Sequence, residues 1–127
     1  MSRDAKITVT WADDDYLFRL GWGELEELQE VCNAGPYALL ARLYDESWRI
    51  ADISETIRLG LIGGGMKPTD ALKKVRAYVR DRPPMESLHF AQAILSAGVI
   101  GVEDEKPGEP VAPNPEGNLS TISPTEN

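Results

Sequence analysis

Apolar and polar residues alternate at the start of the chain. In Lys6–Trp11, Ile7, Val9 and Trp11 point one way and Thr8 and Thr10 the other; in Tyr16–Leu20, Tyr16, Phe18 and Leu20 share a side. A period of two marks half-buried strands. Between them lies Ala12-Asp13-Asp14-Asp15, rich in turn formers. A four-residue loop there pairs Trp11 with Tyr16, Val9 with Phe18 and Ile7 with Leu20, which puts all six apolar side chains on one face. Two strands alone are marginal, so this face is expected to pack on helices.

After Gly21-Trp22-Gly23 the period lengthens. Leu25, Leu28 and Cys32 stand three or four apart, and the early acids suit the positive end of a helix dipole. Asn33-Ala34-Gly35 ends this helix, and Pro36 fits the first turn of the next, whose buried side is Leu39, Leu40, Leu43 and Tyr44. Trp48-Arg49-Ile50 suits either a connector or a short third strand. Asp52-Ile53-Ser54-Glu55 has the form of a capping box with Asp as N-cap, opening a helix with Ile53, Ile57 and Leu61 inward. Gly63-Gly64-Gly65 stops it by supplying positive φ. Pro68-Thr69-Asp70 starts a fourth helix with Leu72, Val75 and Val79 on its core side, and Pro83-Pro84 breaks it. A fifth runs from about Met85 to Gly98 with Leu88, Ala91, Ile94 and Leu95 inward. The predicted class is α+β: one hairpin on about five short helices, over residues 1–102.

From Glu103 the pattern collapses. Residues 103–127 hold five of the nine prolines, six acids and one base, and no aromatics. Such a segment buries too little apolar surface to offset the entropy of ordering, and is expected to be a disordered acidic tail reaching roughly 25–30 Å. The 127-residue chain has a net charge of -8, of which residues 103–127 carry -5. An acidic chain starts disfavoured for nonspecific binding to nucleic acid or anionic lipid. Its longest apolar stretch, Ala93–Val102, is ten residues and is interrupted by Ser96, against the ~20 that a membrane span needs. The start lacks the apolar block of a secretory signal, so a soluble protein of a reducing cytoplasm is expected.

Candidate chemistry is sparse. One Cys and one His leave no Cys/His metal cluster. Gly60–Lys67 approaches a phosphate loop, but Met66 separates Gly65 from Lys67, Pro68 follows, and the segment leaves a helix instead of a strand, so helix termination is the better account. Asp13-Asp14-Asp15 lacks the alternation of a calcium loop and reads as a solvated turn. His89 is expected partly buried and hydrogen-bonded, and Cys32, at a helix C-terminus among acids, inert. Nothing here supports catalysis or calls for a cofactor. The local exception to the acidic balance is Lys67–Arg82, with six bases against two acids; Lys73, Arg76 and Arg80 line one side. A solvated face, a protein contact or a phosphate contact all fit it.

The order of features resembles the gene transfer agent family of phage tail assembly chaperones. The resemblance rests on the hairpin, Phe18-Arg19-Leu20, Glu24-Leu25-Glu26-Glu27-Leu28, Leu39-Leu40-Ala41-Arg42-Leu43, Leu88-x-x-Ala91-x-x-Ile94-Leu95 and, most tellingly, Arg58-Leu59-Gly60-Leu61-Ile62-Gly63-Gly64-Gly65. It covers about Ile7 to Gly101. Tyr37, Tyr44, Trp48, the basic helix and the Pro/Glu tail depart from the family's Ala- and Leu-rich pattern.

The resemblance implies a non-enzymatic role in building the tail of a phage, prophage or gene transfer agent particle. The chain would hold the tape measure protein until tail tube subunits polymerise around it, with the tube protein a possible second partner. A structural tail tube-associated component is the alternative within that class. A nucleic-acid or packaging module using Lys67–Arg82 is the alternative from another. Trp22, Tyr44 and Trp48 are the candidate aromatic anchors, although core placement suits each equally, and Lys73, Arg76 and Arg80 are the candidate basic contacts. Self-association is left open, and no membrane partner is expected.

Overall fold

The computed structural model describes residues 5–102. The acidic tail expected over 103–127 lies outside the described residues. The architecture is α+β: an antiparallel hairpin followed by five helices.

Strands β1 (Lys6–Trp11) and β2 (Asp14–Arg19) form the hairpin around a two-residue turn, Ala12-Asp13. The four-residue loop is therefore corrected: Val9 opposes Tyr16 and Ile7 opposes Phe18. A slip of two keeps every side chain on its original face, so the apolar side survives. Trp11 and Phe18 are buried, and Ile7, Val9 and Tyr16 pack half-buried around them. Trp11 meets Tyr16, Phe18 and Tyr78 edge to face, with ring centres 5.7–5.9 Å apart. The tight turn holds Ala12 at φ +59, a conformation that costs a non-glycine residue about 1–2 kcal/mol.

Helix α1 (Trp22–Cys32) starts where the Gly21 N–H donates to Glu24 Oε1 at 2.9 Å, and ends on Asn33 in the left-handed region, φ 54 and ψ 45. Helix α2 (Pro36–Tyr44) has proline in its first turn and buries Leu39, Leu40 and Leu43. Tyr44, expected on that buried side, is turned outward. Residues 45–49 are a connector, which settles the choice left open for Trp48-Arg49.

Helix α3 (Ile50–Gly63) is the centre of the molecule, packing on β2, α1, α4 (Pro68–Val75) and α5 (Met85–Val99). Partners on several sides explain why residues 52–57 and 59–61 are all buried. Asp52 is the third helical residue and not the N-cap: its Oδ2 accepts the Arg49 N–H at 2.8 Å, and its Oδ1 accepts Arg42 Nη2 at 2.9 Å. The capping acid is thus also half of a buried ion pair. Thr56 Oγ1 donates to the Asp52 carbonyl, and Arg58 holds Glu55 in a two-oxygen grip at 2.7–3.2 Å. Every ion buried on α3 has a partner, as burial of charge demands.

The glycines that end α3 do something other than was expected. Only Gly65, at φ +112, needs the left-handed region. Gly63 and Gly64 are required by proximity: a Cβ would lie 1.8 Å from the Arg19 carbonyl oxygen at the first and 2.0 Å from that of Leu17 at the second. The strand β2 rests directly on the helix backbone there.

Helix α4 turns Ala71 and Val75 inward and leaves Leu72 half-buried, a correction to the expected Leu72/Val75/Val79 stripe. It continues into a π-helical turn, Arg76–Arg80, closed by the Asp81 N–H donating to the Arg76 carbonyl at 3.1 Å. The wider turn brings both Tyr78 and Val79 against the core. Helix α5 buries Ala91, Ile94 and Leu95 as expected, with Leu88 half-buried.

Candidate protein-binding surface

The six residues named from the sequence fall into separate places. Trp22, the first residue of α1, is 81% exposed, because the Gly21 cap starts the helix at the surface. Tyr44, the last of α2, is 61% exposed, its hydroxyl 3.5 Å from Ser96 Oγ on α5. Trp48 is half-buried in the connector and packs against the core, which weakens it as an anchor. Lys73, Arg76 and Arg80 are exposed on α4 and the π turn. Helix α3 packs against both α1 and α4, and so stands between the aromatic and basic groups.

Around Trp22 and Tyr44 the structure assembles more apolar surface. One groove of about 270 Å³ is lined by Trp22, Leu25, Glu26, Gln29 and Pro36. A second, of about 360 Å³, is lined by Tyr37, Leu40, Ala41, Tyr44, Ser96 and Ile100. Pro36, at the first, and Tyr37, at the second, are consecutive residues at the start of α2. Tyr37 is more exposed than Tyr44, at 72%, and was missed as an anchor. Its signal was present: Tyr37, Ala41 and Tyr44 repeat at helical spacing on the side of α2 opposite Leu39 and Leu43. Ile100, just beyond α5, had no such signal, since only the packing of α5 on α2 brings it there.

The basic segment is less uniform than its composition. Lys74 Nζ bonds both oxygens of Asp13 at 2.9 and 3.1 Å and lies 5.3 and 5.6 Å from the ring centres of Tyr16 and Tyr78. The Tyr16 hydroxyl and the Asp13 carboxylate hold this ammonium well above the ordinary lysine range. The same Tyr16 hydroxyl, followed by Lys74, lowers Asp13 below the usual carboxylate value. Asp13 lies in an exposed turn, as expected, and in addition joins the hairpin tip to α4. Arg82 pairs with Glu86 at 3.5 Å. Lys73, Arg76 and Arg80 have no ion-pair partner among the described residues.

His89 is exposed, its ring 3.9 Å from that of Phe90, a correction to the partly buried placement. Cys32 is buried, its Sγ 3.7 Å from the Ala51 carbonyl; burial, then the Asp52 charge, pushes the thiol up to about 12. Among the described residues, no group of three or more His, Cys, Asp or Glu side chains is placed to hold a metal, and no helix is long and apolar enough to cross a membrane.

A family model described as "Phage tail tube protein, GTA-gp10" matches residues 4–101, which takes in the hairpin, all five helices and both surfaces above. No curated protein and no solved structure matches the chain. With more than three quarters of its length matched, the chain belongs to this GTA-gp10 family of phage tail proteins.

Proposed function

We propose that this phage tail protein is a tail assembly chaperone that holds the tape measure protein through the α1–α2 surface. The observation that carries the reading is the exposed run of Trp22, Tyr37, Tyr44 and Ile100 beside a core that is already complete. Large apolar side chains grouped outside a finished core mark a contact surface. Grooves with aromatic walls suit the apolar stripe of an amphipathic helix, the form in which a long tape measure would expose aggregation-prone segments. Binding there must be reversible, because tail tube subunits must later displace the client. The role is non-catalytic, and it takes place in the host cytoplasm.

Co-expression with the tape measure protein of the same genome tests this. The tape measure is expected to become soluble and to co-purify, and Trp22→Ala combined with Tyr44→Ala is expected to weaken the complex about 30-fold or more. A tape measure that stays insoluble and never co-purifies sinks the proposal. The family's own description favours a second reading, a structural component of the tail tube. Its mark is the chain's presence in purified particles at a stoichiometry matching the tube; a chaperone is absent from them.

A further inference from the structure

Positive charge is gathered on one face. Residues 67–82 carry six bases and two acids. Of those bases, Lys73, Arg76 and Arg80 are exposed and have no ion-pair partner among the described residues. Beside them a groove of about 410 Å³ is lined by Met66, Asp70, Lys73, Lys74, Ala77 and Tyr78. The π turn adjoins the first turns of α5, where Tyr78, Arg82, Glu86 and Phe90 line a common cleft. The chain leaves α5 at its opposite end, past Ile100, beside the groove of Tyr37 and Tyr44. That side is acidic: residues 22–46, which take in α1 and α2, carry six acids and one base, and the base, Arg42, is paired with Asp52. Beyond the described residues the sequence is acidic again, with Glu103, Asp104, Glu105, Glu109 and Glu116 against Lys106.

We propose that the basic face of α4 and the π turn holds this chain's own acidic segment, residues 103–116, returned along α5. Charge selects this occupant. The segment is net -4 and residues 67–82 are net +4, whereas the α1–α2 region beside the exit is net -5 and repels it. Reach permits it. The return path is the length of α5, 15 residues at 1.5 Å each or about 22 Å, and fourteen residues behaving as a flexible coil spread over roughly 20 Å. A tether whose mean length matches its span gives an effective concentration on the order of mM. Exposed ion pairs are individually weak, so the face would bind a free acidic peptide poorly and a tethered one well. Val111, between Glu109 and Glu116, supplies an apolar group for the floor formed by Met66, Ala77 and Tyr78. Docked there, the segment screens the cationic surface from other polyanions and leaves the aromatic face around Trp22 and Tyr37 open. The inference is independent of what that aromatic face binds.

The test follows the segment in the full chain by NMR. Cys32 is buried, so in an Ala112→Cys variant a nitroxide label attaches to the introduced thiol, with wild type treated alike as the control. At low salt the amide signals of residues 73–80 are expected to lose intensity, and to regain it at ~1 M salt, where charges are screened beyond about 3 Å. Replacing Lys73→Gln, Arg76→Gln and Arg80→Gln together is expected to abolish the loss. All three positions are exposed, so unchanged thermal unfolding is the folding control. With the label on one chain and the isotope on another, no loss is expected. Competition supplies a second measurement. A free peptide of residues 103–116 is expected to bind at least ~3-fold more tightly to the full chain carrying Glu103→Gln, Asp104→Asn, Glu105→Gln, Glu109→Gln and Glu116→Gln, because its face is vacant. That gain is expected to vanish when Lys73, Arg76 and Arg80 are replaced as well, which a mere drop in overall charge would not produce. No intensity loss at 73–80 in low salt overturns the proposal, as does a loss centred on Trp22 or Tyr44, or one that needs a second copy. A peptide that binds both forms equally overturns it too. Failure of tape measure co-purification leaves every one of these readouts intact.

Discussion

Where α3 ends, Gly63 and Gly64 bring the β2 backbone so near that one added carbon would meet a carbonyl oxygen at 1.8 or 2.0 Å; on α2, Tyr37 and Tyr44 leave most of their side chains in solvent, 72% and 61% exposed. At the glycine seam the absence of side chains is the structural element, and it tolerates no addition. On the aromatic face the side chains are an excess over what the fold needs, and their removal leaves the core as it was. The two regions therefore respond differently to substitution: the glycine seam has no room for an added atom, whereas the exposed rings lie outside the buried core.

That difference is open to measurement. The largest expected effect is at the seam: Gly64→Ala should lose about 4 kcal/mol of stability in denaturant unfolding, since a backbone carbonyl and not a flexible side chain must give way. A loss within ~0.5 kcal/mol, the range of an ordinary surface change, would show that the seam is no constraint. Next is the capping pair. Asp52→Ala removes the carboxylate that serves both Arg42 and the Arg49 N–H, leaving an uncompensated guanidinium, and should cost about 3 kcal/mol by the same measurement.

Cys32 extends the contrast to pH. Its thiol is raised from an ordinary value near 9 to about 12, so above pH 9 the unfolded chain releases a proton that the native state keeps. Stability is thus whole below pH 9 and declines as pH rises toward 12. Comparing wild type with Cys32→Ala across that window should show a shallower decline in the variant, and the native thiol should resist a disulfide reagent at pH 8 until the chain unfolds. The smallest effect on stability belongs to the aromatic face. Tyr37→Ala is expected to shift unfolding by no more than ~0.5 kcal/mol while weakening partner binding. If Tyr37→Ala unfolds the domain, the face is core and the comparison collapses.

Much of the fold was legible. The alternation of Ile7, Val9 and Trp11 announced the hairpin, and Pro36, Gly63–Gly65, Pro68 and Pro83-Pro84 marked helix limits within a residue or two. The surface was legible only in part. Trp22 and Tyr44, two of the candidate anchors, are exposed, yet Tyr44 also fitted the buried stripe of α2 and nothing local distinguished either from Trp48, which packs inward. Lys74 looked like its basic neighbours until Asp13, 61 residues away in sequence, engaged it.

What the sequence alone determined was local: which segments alternate with a period of two, which repeat at helical spacing, and where proline or glycine halts them. These follow from backbone preferences that act over a few residues. The tertiary structure decided the rest: the register of the hairpin, the burial of Asp52 through Thr56, the close seat of β2 on Gly63 and Gly64, and the pairing of Lys74 with Asp13. Each depends on which distant segment becomes a neighbour, and hydrophobic burial, being non-directional, makes that choice only when the whole core assembles.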